Sequence, residues 1–443
     1  MNQTIQQRLQ NKKVAIWGFG REGKSTLAFL ISIGNHQTAV FDDNPEALKA
    51  LGSDAEALSK KADLNAYDLI MKSPGIAAVD SPEVESSKLS SQTELFLEAY
   101  RAQIIGITGT KGKSTTTTLI YEILKSVHEN TVLVGNIGIP CFDLIDRINK
   151  NTRIVFELSC HQLEYAKCSP HIALLLNIFQ EHLDHYKTME RYIAAKENIL
   201  VHQHEKDCFI SSIGNTAQNV LALSGPSTLV TVSDGNQGDV RLLGNEISTP
   251  SGHIVIEPGD TSLIGRHNLV NIAFAYYVCH DLYAVDNGAF KAALRAYGGL
   301  PHRLQRIATL NGTDYFDDSI STVPETAIAA VLSLGNVGSI IIGGMDRGID
   351  YHPLTGFLAA SDILHIVLLP DTAARIHEQL SQKGCTAQIH RAADMADAVA
   401  YCKAHAERGK CCLLSPAAAS YGFYRDFEAR GDHFKALVTS GAS

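Results

Sequence analysis

Residues 106–116 read GITGTKGKSTT, a combination of types and spacing suited to holding polyphosphate. The apolar run Ile104 to Ile107 predicts a buried strand, and the turn through Gly109, Thr110 and Gly112 follows it. Lys113, Ser114 and Thr115 then open a helix whose apolar face runs on through Leu119, Ile120 and Ile123. Glycines let backbone N–H groups approach phosphate oxygens, and the helix N-terminus adds positive potential. The lysine reaches the β/γ-phosphates, and the next hydroxyl ligates Mg²⁺. The spacing departs from a strict Walker A loop, because position 107 is Ile where that pattern needs Gly. The alternative is a Gly/Thr-rich turn before an ordinary helix. The whole arrangement predicts an ATP-binding chain.

Other residues can join such chemistry. Glu157 ends an apolar strand, where a carboxylate can hold Mg²⁺ bridging ATP phosphates. His182, within Glu181-His182-Leu183-Asp184, can ligate metal, touch a phosphate or cap a helix. Lys196, in IAAKENIL, reads as an ordinary exposed helical lysine. Asp318 suits a ribose or phosphate contact only if a third domain closes over ATP. His302 and Arg303 lie at an inferred hinge, where an arginine either contacts nucleotide phosphates or is a surface charge. Near the N-terminus, KVAIWG leads into Gly18, Gly20 and Gly23, a GxGxxG, and Asp42 ends a second strand about twenty residues on. Alone, that fingerprint places only a diphosphate or similar group at the first turn of a Rossmann-like unit.

The elements that position these residues alternate as strand and helix, which predicts an α/β chain with mostly parallel sheets. At 443 residues the chain should form about three domains. The expected division is 1–98, Rossmann-like; 99–298, a central P-loop-type ATPase domain; and 299–443, a second Rossmann-like domain. Strands are predicted at 13–18, 38–41 and 68–71, the last running into the loop at Ser73. In the centre they fall at 131–134, 154–156 and 172–176, and at the end at 339–342, 363–369 and 411–414. Residues 203–262 read as small antiparallel strands at the central domain's edge. Asn311-Gly312 predicts a hairpin, and a helix is expected over 324–334. A hydrophobic content of 45%, a charged content of 19% and a net charge of −9 describe an ordinary globular chain and argue against general nucleic-acid or membrane-surface binding. The nine Cys show no CxxC pair, which points to reduced core thiols. No run approaches the ~18 apolar residues of a membrane span. A cytosolic chain is expected.

Taken together, the motifs resemble the Mur ligase family, and within it the MurD-type, glutamate-adding branch. The resemblance runs in order through the GxGxxG at Gly18, SPGI at Ser73, TGTKGKSTT at Thr108, GNIGIP at Gly135 and ELSCHQLE at Glu157. It continues through NIFQEHLDHY at Asn177, AAK at Ala194, HNLVN at His267, GLPHR at Gly299, DDS at Asp317 and LLSPAAASY with FEARGD from Leu413. It implies that the first domain holds the UDP end of UDP-N-acetylmuramoyl-L-alanine rather than NAD, with the diphosphate near Gly18, Gly20, Arg21, Glu22, Gly23 and Ser73 and the uracil near Asp43. Asn136, Ser159 and Gln162 match positions around the muramoyl end. Gly109, Thr110, Gly112, Lys113, Ser114, Thr115, Asn268, Asn271, Arg303 and Asp318 match ATP contacts. Ser114 holds one Mg²⁺, while Glu157, His182 and Lys196, which the family carries as an N-carbamate, hold the second. ATP then phosphorylates the L-alanyl carboxylate, and the amine of glutamate attacks the acyl phosphate. A monomer is expected.

The amino-acid pocket departs from the pattern. The MurD-type loop reads DSKATN, whereas residues 318–323 read DSISTV, so Ile320 replaces a cation and Thr322 keeps the hydroxyl that contacts glutamate. Arg347, Ser420 and Phe427 match the other glutamate contacts. DSISTV with GGMDRGIDY looks more like a subgroup that adds L-glutamate, followed by an epimerase, so L-glutamate is favoured over D-glutamate. Asn44 replaces a usual Arg near the uracil. Two rivals are an NAD(P)-dependent dehydrogenase, which leaves the phosphate loop unexplained, and a non-catalytic ATP-binding switch.

Overall fold

Three mostly parallel sheets organise the computed structural model, which describes residues 3–135, 139–214 and 225–440. The first sheet runs in the order Glu56–Ala57, Thr38–Phe41, Val14–Trp17, Leu69–Lys72, Leu89–Ser90, with every pair parallel. Its three central strands are buried on both faces and apolar apart from Thr38 and Lys72, the pattern a sheet covered by helices requires. The chain order reverses at Val14–Trp17, so the loops leaving Trp17 and Lys72 meet at the carboxyl edge, where such sheets bind ligands. There Ser73 Oγ donates to the Gly18 carbonyl at 2.9 Å. A Cβ on Gly23 would collide with that same carbonyl oxygen, so glycine is what lets the following helix, Arg21–Ser32, sit this close to the turn.

The second sheet has nine strands. Its order is His253–Val255, Glu246–Ser248, Val240–Leu243, Thr228–Ser233, Cys208–Ser212, Ile172–Leu175, Ile104–Thr108, Arg153–Glu157 and Thr131–Gly135. The expected antiparallel edge is only part of the 203–262 region. Cys208–Ser212, Thr228–Ser233 and Val240–Leu243 extend the parallel sheet, and antiparallel pairing begins at Glu246–Ser248. Short alternating runs read locally as hairpins, while the parallel partner of Cys208–Ser212 is the distant Ile172–Leu175.

The third sheet runs Gln305–Leu310, Thr313–Asp317, Cys411–Leu414, Val337–Gly343, His365–Leu369, Gln388–Arg391. Its first pair is the predicted hairpin, with Asn311 and Gly312 at φ 51 and φ 84, the left-handed values its tight turn demands. The described chain divides into two compact units. One comprises residues up to 260 together with 267–294 and holds the first two sheets; the other comprises 261–266 together with residues from 295 and holds the third. In the first unit one apolar core runs from Ile5 through Phe96 and Phe156 to Phe209. Position 98 lies inside the helix Gln92–Tyr100. All nine cysteines are free thiols. Among the described residues no helix is long and apolar enough to cross a membrane.

Candidate active site

The phosphate-loop residues leave the strand Ile104–Thr108 and enter the helix Lys113–Val127, as the sequence predicts. Leu119, Ile120, Ile123 and Leu124 bury that helix against the sheet, fixing its N-terminus at the sheet's carboxyl edge. Gly112 precedes the helix at φ 84, and a Cβ there would lie 2.6 Å from Asn271 Oδ1. The loop is therefore a backbone cradle that a side chain would fill. Asn271 is buried and donates from Nδ2 to Asn268 Oδ1 at 3.1 Å, which brings this expected pair against the loop.

The loop is fastened to the strand end beyond Leu175. Thr110 N donates to the Asn177 carbonyl at 2.9 Å and Lys111 N to Asn177 Oδ1 at 2.8 Å. Lys111 Nζ reaches Glu181 Oε1 at 2.7 Å. Thr110 Oγ1 lies 2.8 Å from the buried Tyr192 hydroxyl. Lys113 Nζ folds onto the loop, donating to the carbonyls of Gly109 at 2.9 Å and Thr110 at 3.0 Å. Burial pushes its pKa below the usual lysine range, against the pull of Glu157 and Glu181. A phosphate would offer this ammonium a stronger partner than two neutral carbonyls. Ser114 Oγ meets Glu157 Oε1 at 3.2 Å, and Glu157 is fully buried at the end of its strand. A hydroxyl and a carboxylate together are the oxygen donors that Mg²⁺ selects.

Lys196 overturns its sequence reading. The helix Met189–Glu197 buries it completely, with Nζ donating to the Gly109 carbonyl at 2.8 Å and lying 5.0 Å from the centre of the Tyr192 ring. Burial lowers its pKa to about 7, with Lys113 adding to the shift and Cys160 and Glu181 opposing it. Near neutral pH much of this amine is uncharged, which is the form that can take up CO₂ as a carbamate. Tyr192 is the residue that sequence reasoning missed. Its i, i+4 spacing to Lys196 places both on one helix face, and that spacing was the available signal.

His182 stands in the left-handed region at φ 58 and precedes the short helix Leu183–Tyr186. Its ring packs edge-on to His161, with centroids 4.9 Å apart. Among the described residues, the His, Cys and acidic donors close enough to share one ion are Cys160, His161 and His182, and Glu157 is outside that group.

In the first unit, Arg21, Glu22 and Gln162 line one cavity of about 140 Å³ together with Pro74 and Gly135. Burial raises the Glu22 carboxyl to about 7, against the attraction of Lys72. Ser159 and Gln162 also serve each other as a reciprocal helix cap. Asp43 is exposed, 3.6 Å from Lys61 Nζ, and Asn44 caps the helix Pro45–Leu48. Asn136 lies outside the described residues.

In the second unit, Asp318 is buried and accepts hydrogen bonds from Ser321 Oγ, Ser415 Oγ and the Leu304 amide. Burial raises its pKa to about 6, and the exposed Arg303 is among the groups that oppose the shift. His302 is buried against Asp317, with Nδ1 2.7 Å from Oδ2. Ser420 lines a cavity of about 230 Å³ with Arg430 and His433, but Thr322, Arg347 and Phe427 are not in its wall. Arg430 is a buried cation that the motifs left without a role. It donates to Ser319 Oγ and to the carbonyls of Ser319 and Ala418.

Comparison with known proteins bears on this arrangement. Residues 107–279, which carry the phosphate loop, Glu157, His182 and Lys196, match the model of the Mur ligase middle domain. A UDP-N-acetylmuramoylalanine–D-glutamate ligase of Symbiobacterium thermophilum is 33% identical over 96% of this chain and 98% of its own. The chain belongs to the Mur ligase family. A Clostridium botulinum protein of the same name is 32% identical over 98% of this chain and 97% of its own. The fold is also that of a Mur ligase. The structure of a MurF ligase from Thermotoga maritima in complex with ADP superposes with a TM-score of 0.56 at 15% identity, covering 99% of this chain and 98% of that one.

Proposed function

We propose that this Mur ligase joins D-glutamate to the L-alanyl carboxylate of UDP-N-acetylmuramoyl-L-alanine, consuming ATP. The observation that carries the reading is the end-to-end match, at 32–33% identity, to relatives named for that reaction. It reverses the preference for L-glutamate drawn from DSISTV, because both of those relatives are named for the D enantiomer.

Bound ATP with Mg²⁺ supplies the phosphoryl group that turns a poor acyl donor into an acyl phosphate. The chain's own residues orient and shield this step. The cradle from Gly109 to Thr115 holds the phosphates, with Asn268, Asn271, Arg303 and Asp318 as further ATP contacts. Lys113 leaves the Gly109 and Thr110 carbonyls to offset phosphate charge. Ser114 would hold one Mg²⁺, and Glu157, His182 and a carbamylated Lys196 would hold the second. Arg21, Glu22 and Gln162 grip the UDP-sugar in their shared cavity, together with Gly18, Gly20, Gly23, Asp43, Ser73, Asn136 and Ser159. Thr322, Arg347, Ser420 and Phe427 take the amino acid. The assignment of 1–98, 99–298 and 299–443 to UDP-substrate, ATP and amino acid is part of this proposal.

The test is phosphate release from ATP with UDP-N-acetylmuramoyl-L-alanine, comparing the two glutamate enantiomers. Release with D-glutamate and little with L-glutamate is expected. Release with L-glutamate alone would return the chain to the subgroup that DSISTV suggests and require a downstream epimerase.

A further inference from the structure

A thiol and two imidazoles converge beside the phosphate loop, and of the three only His182 has a part in the reaction just proposed. Cys160 and His161 follow the Ser159 cap directly, and His182 faces them from beyond the strand Ile172–Leu175. We propose that Cys160, His161 and His182 form a binding site for a borderline divalent cation such as Zn²⁺ or Co²⁺ in the ATP-free chain, sharing His182 with the proposed second Mg²⁺ position.

The geometry supports it. The Cys160 Sγ and one nitrogen from each imidazole all lie within 4.8 Å of one another. In a tetrahedral site with metal–sulfur bonds of about 2.3 Å and metal–nitrogen bonds of about 2.0–2.1 Å, donors stand roughly 3.3–3.6 Å apart. Side-chain torsions can supply a contraction on the order of 1 Å, and water takes the remaining position. The Tyr186 ring stacks on His161 at 5.5 Å with 5° between planes, and its hydroxyl lies 3.2 Å from His161 Nδ1. That outer contact orients the imidazole as a ligand's neighbour should. Cys160 is 3% exposed, while the His182 side chain is 41% exposed, so the group combines a sheltered thiol with an open approach. A thiolate with two imidazoles selects zinc or cobalt, whereas Mg²⁺ requires oxygen donors in near-octahedral array. The thiol proton passes to solvent as the ion binds.

Binding is tested on the full chain without ATP or substrate, so the result is independent of the proposed reaction. Co²⁺ is titrated in the presence of excess Mg²⁺ while absorbance is recorded. The expected result is a thiolate-to-cobalt charge-transfer band and strong tetrahedral ligand-field bands that saturate at one equivalent. Cys160→Ser should lose the charge-transfer band and weaken Co²⁺ binding by more than about tenfold. His161→Gln, which retains the thiol, should weaken binding while keeping the band, and circular dichroism of each variant checks the fold. Absence of the band, its persistence in Cys160→Ser, or full displacement of Co²⁺ by Mg²⁺ would overturn the site.

Discussion

Lys196→Met is expected to be more heat-resistant than the natural chain and at least a hundredfold slower in ADP formation, roughly the loss that disturbing a metal's ligand set produces. The stability gain follows from the cost of a buried amine. Lys196 is fully buried and its pKa falls from 10.5 to about 7. The folded chain therefore disfavours the proton that the unfolded chain keeps. Below pH 7 both states are protonated and the folded state carries the whole penalty. As pH rises from about 7 toward 10.5, the folded chain has already released the proton, so the penalty shrinks. The advantage of methionine should thus be largest at or below neutral pH and fade in alkali. Methionine forgoes the 2.8 Å bond to the Gly109 carbonyl and the cation's contact with Tyr192. The net gain should still be a thermal midpoint a few degrees higher. Thermal melts across pH, beside ADP assays, check both halves. A variant that melts lower at every pH would show that the lysine is there to hold the loop. Lys196→Ala opens the space that methionine fills; if a carbamate is the working group, short carboxylic acids added to this variant should restore part of the rate.

The second large effect is expected from Lys113→Ala. Substrate-dependent ADP release should fall on the order of a thousandfold or more, since the cation offsets charge on the transferring phosphoryl. Thermal stability should hardly change. The two carbonyls that Lys113 covers belong to Gly109 and Thr110; Lys196 also serves Gly109, and a carbonyl released at this edge can turn to water. Near-wild-type release by a folded Lys113→Ala chain would remove the phosphate loop from the reaction.

Much of the frame was legible in local pattern. Thr38–Phe41, Pro324–Leu334 and Cys411–Leu414 occupy the residues that their apolar runs and the proline indicate. The Asn311-Gly312 turn also follows from its two residues. Illegible features are those decided by distant partners. Lys196 looked exposed because the groups its Nζ bonds, Gly109 and Thr108, lie far back in the chain. Cys208–Ser212 joined a parallel sheet through Ile172–Leu175, a pairing that no short window contains. Gln388–Arg391 passed unnoticed because it is a short polar edge strand with one neighbour, His365–Leu369. The site divides in the same way. Lys113 and Ser114 announce themselves at the helix start after the glycine turn and Glu157 at its strand end, whereas the Cys160–His161–His182 group emerges only when the chain is folded.

The most direct measurement follows oxygen atoms. UDP-N-acetylmuramoyl-L-alanine labelled with oxygen-18 in its L-alanyl carboxylate is incubated with the chain, ATP, Mg²⁺ and D-glutamate, and the phosphate and the product are analysed by mass spectrometry. If the carboxylate is activated as an acyl phosphate, each released phosphate carries one labelled oxygen and the new amide retains the other. Phosphate released without label, or ATP consumed without amide formation, would contradict the account.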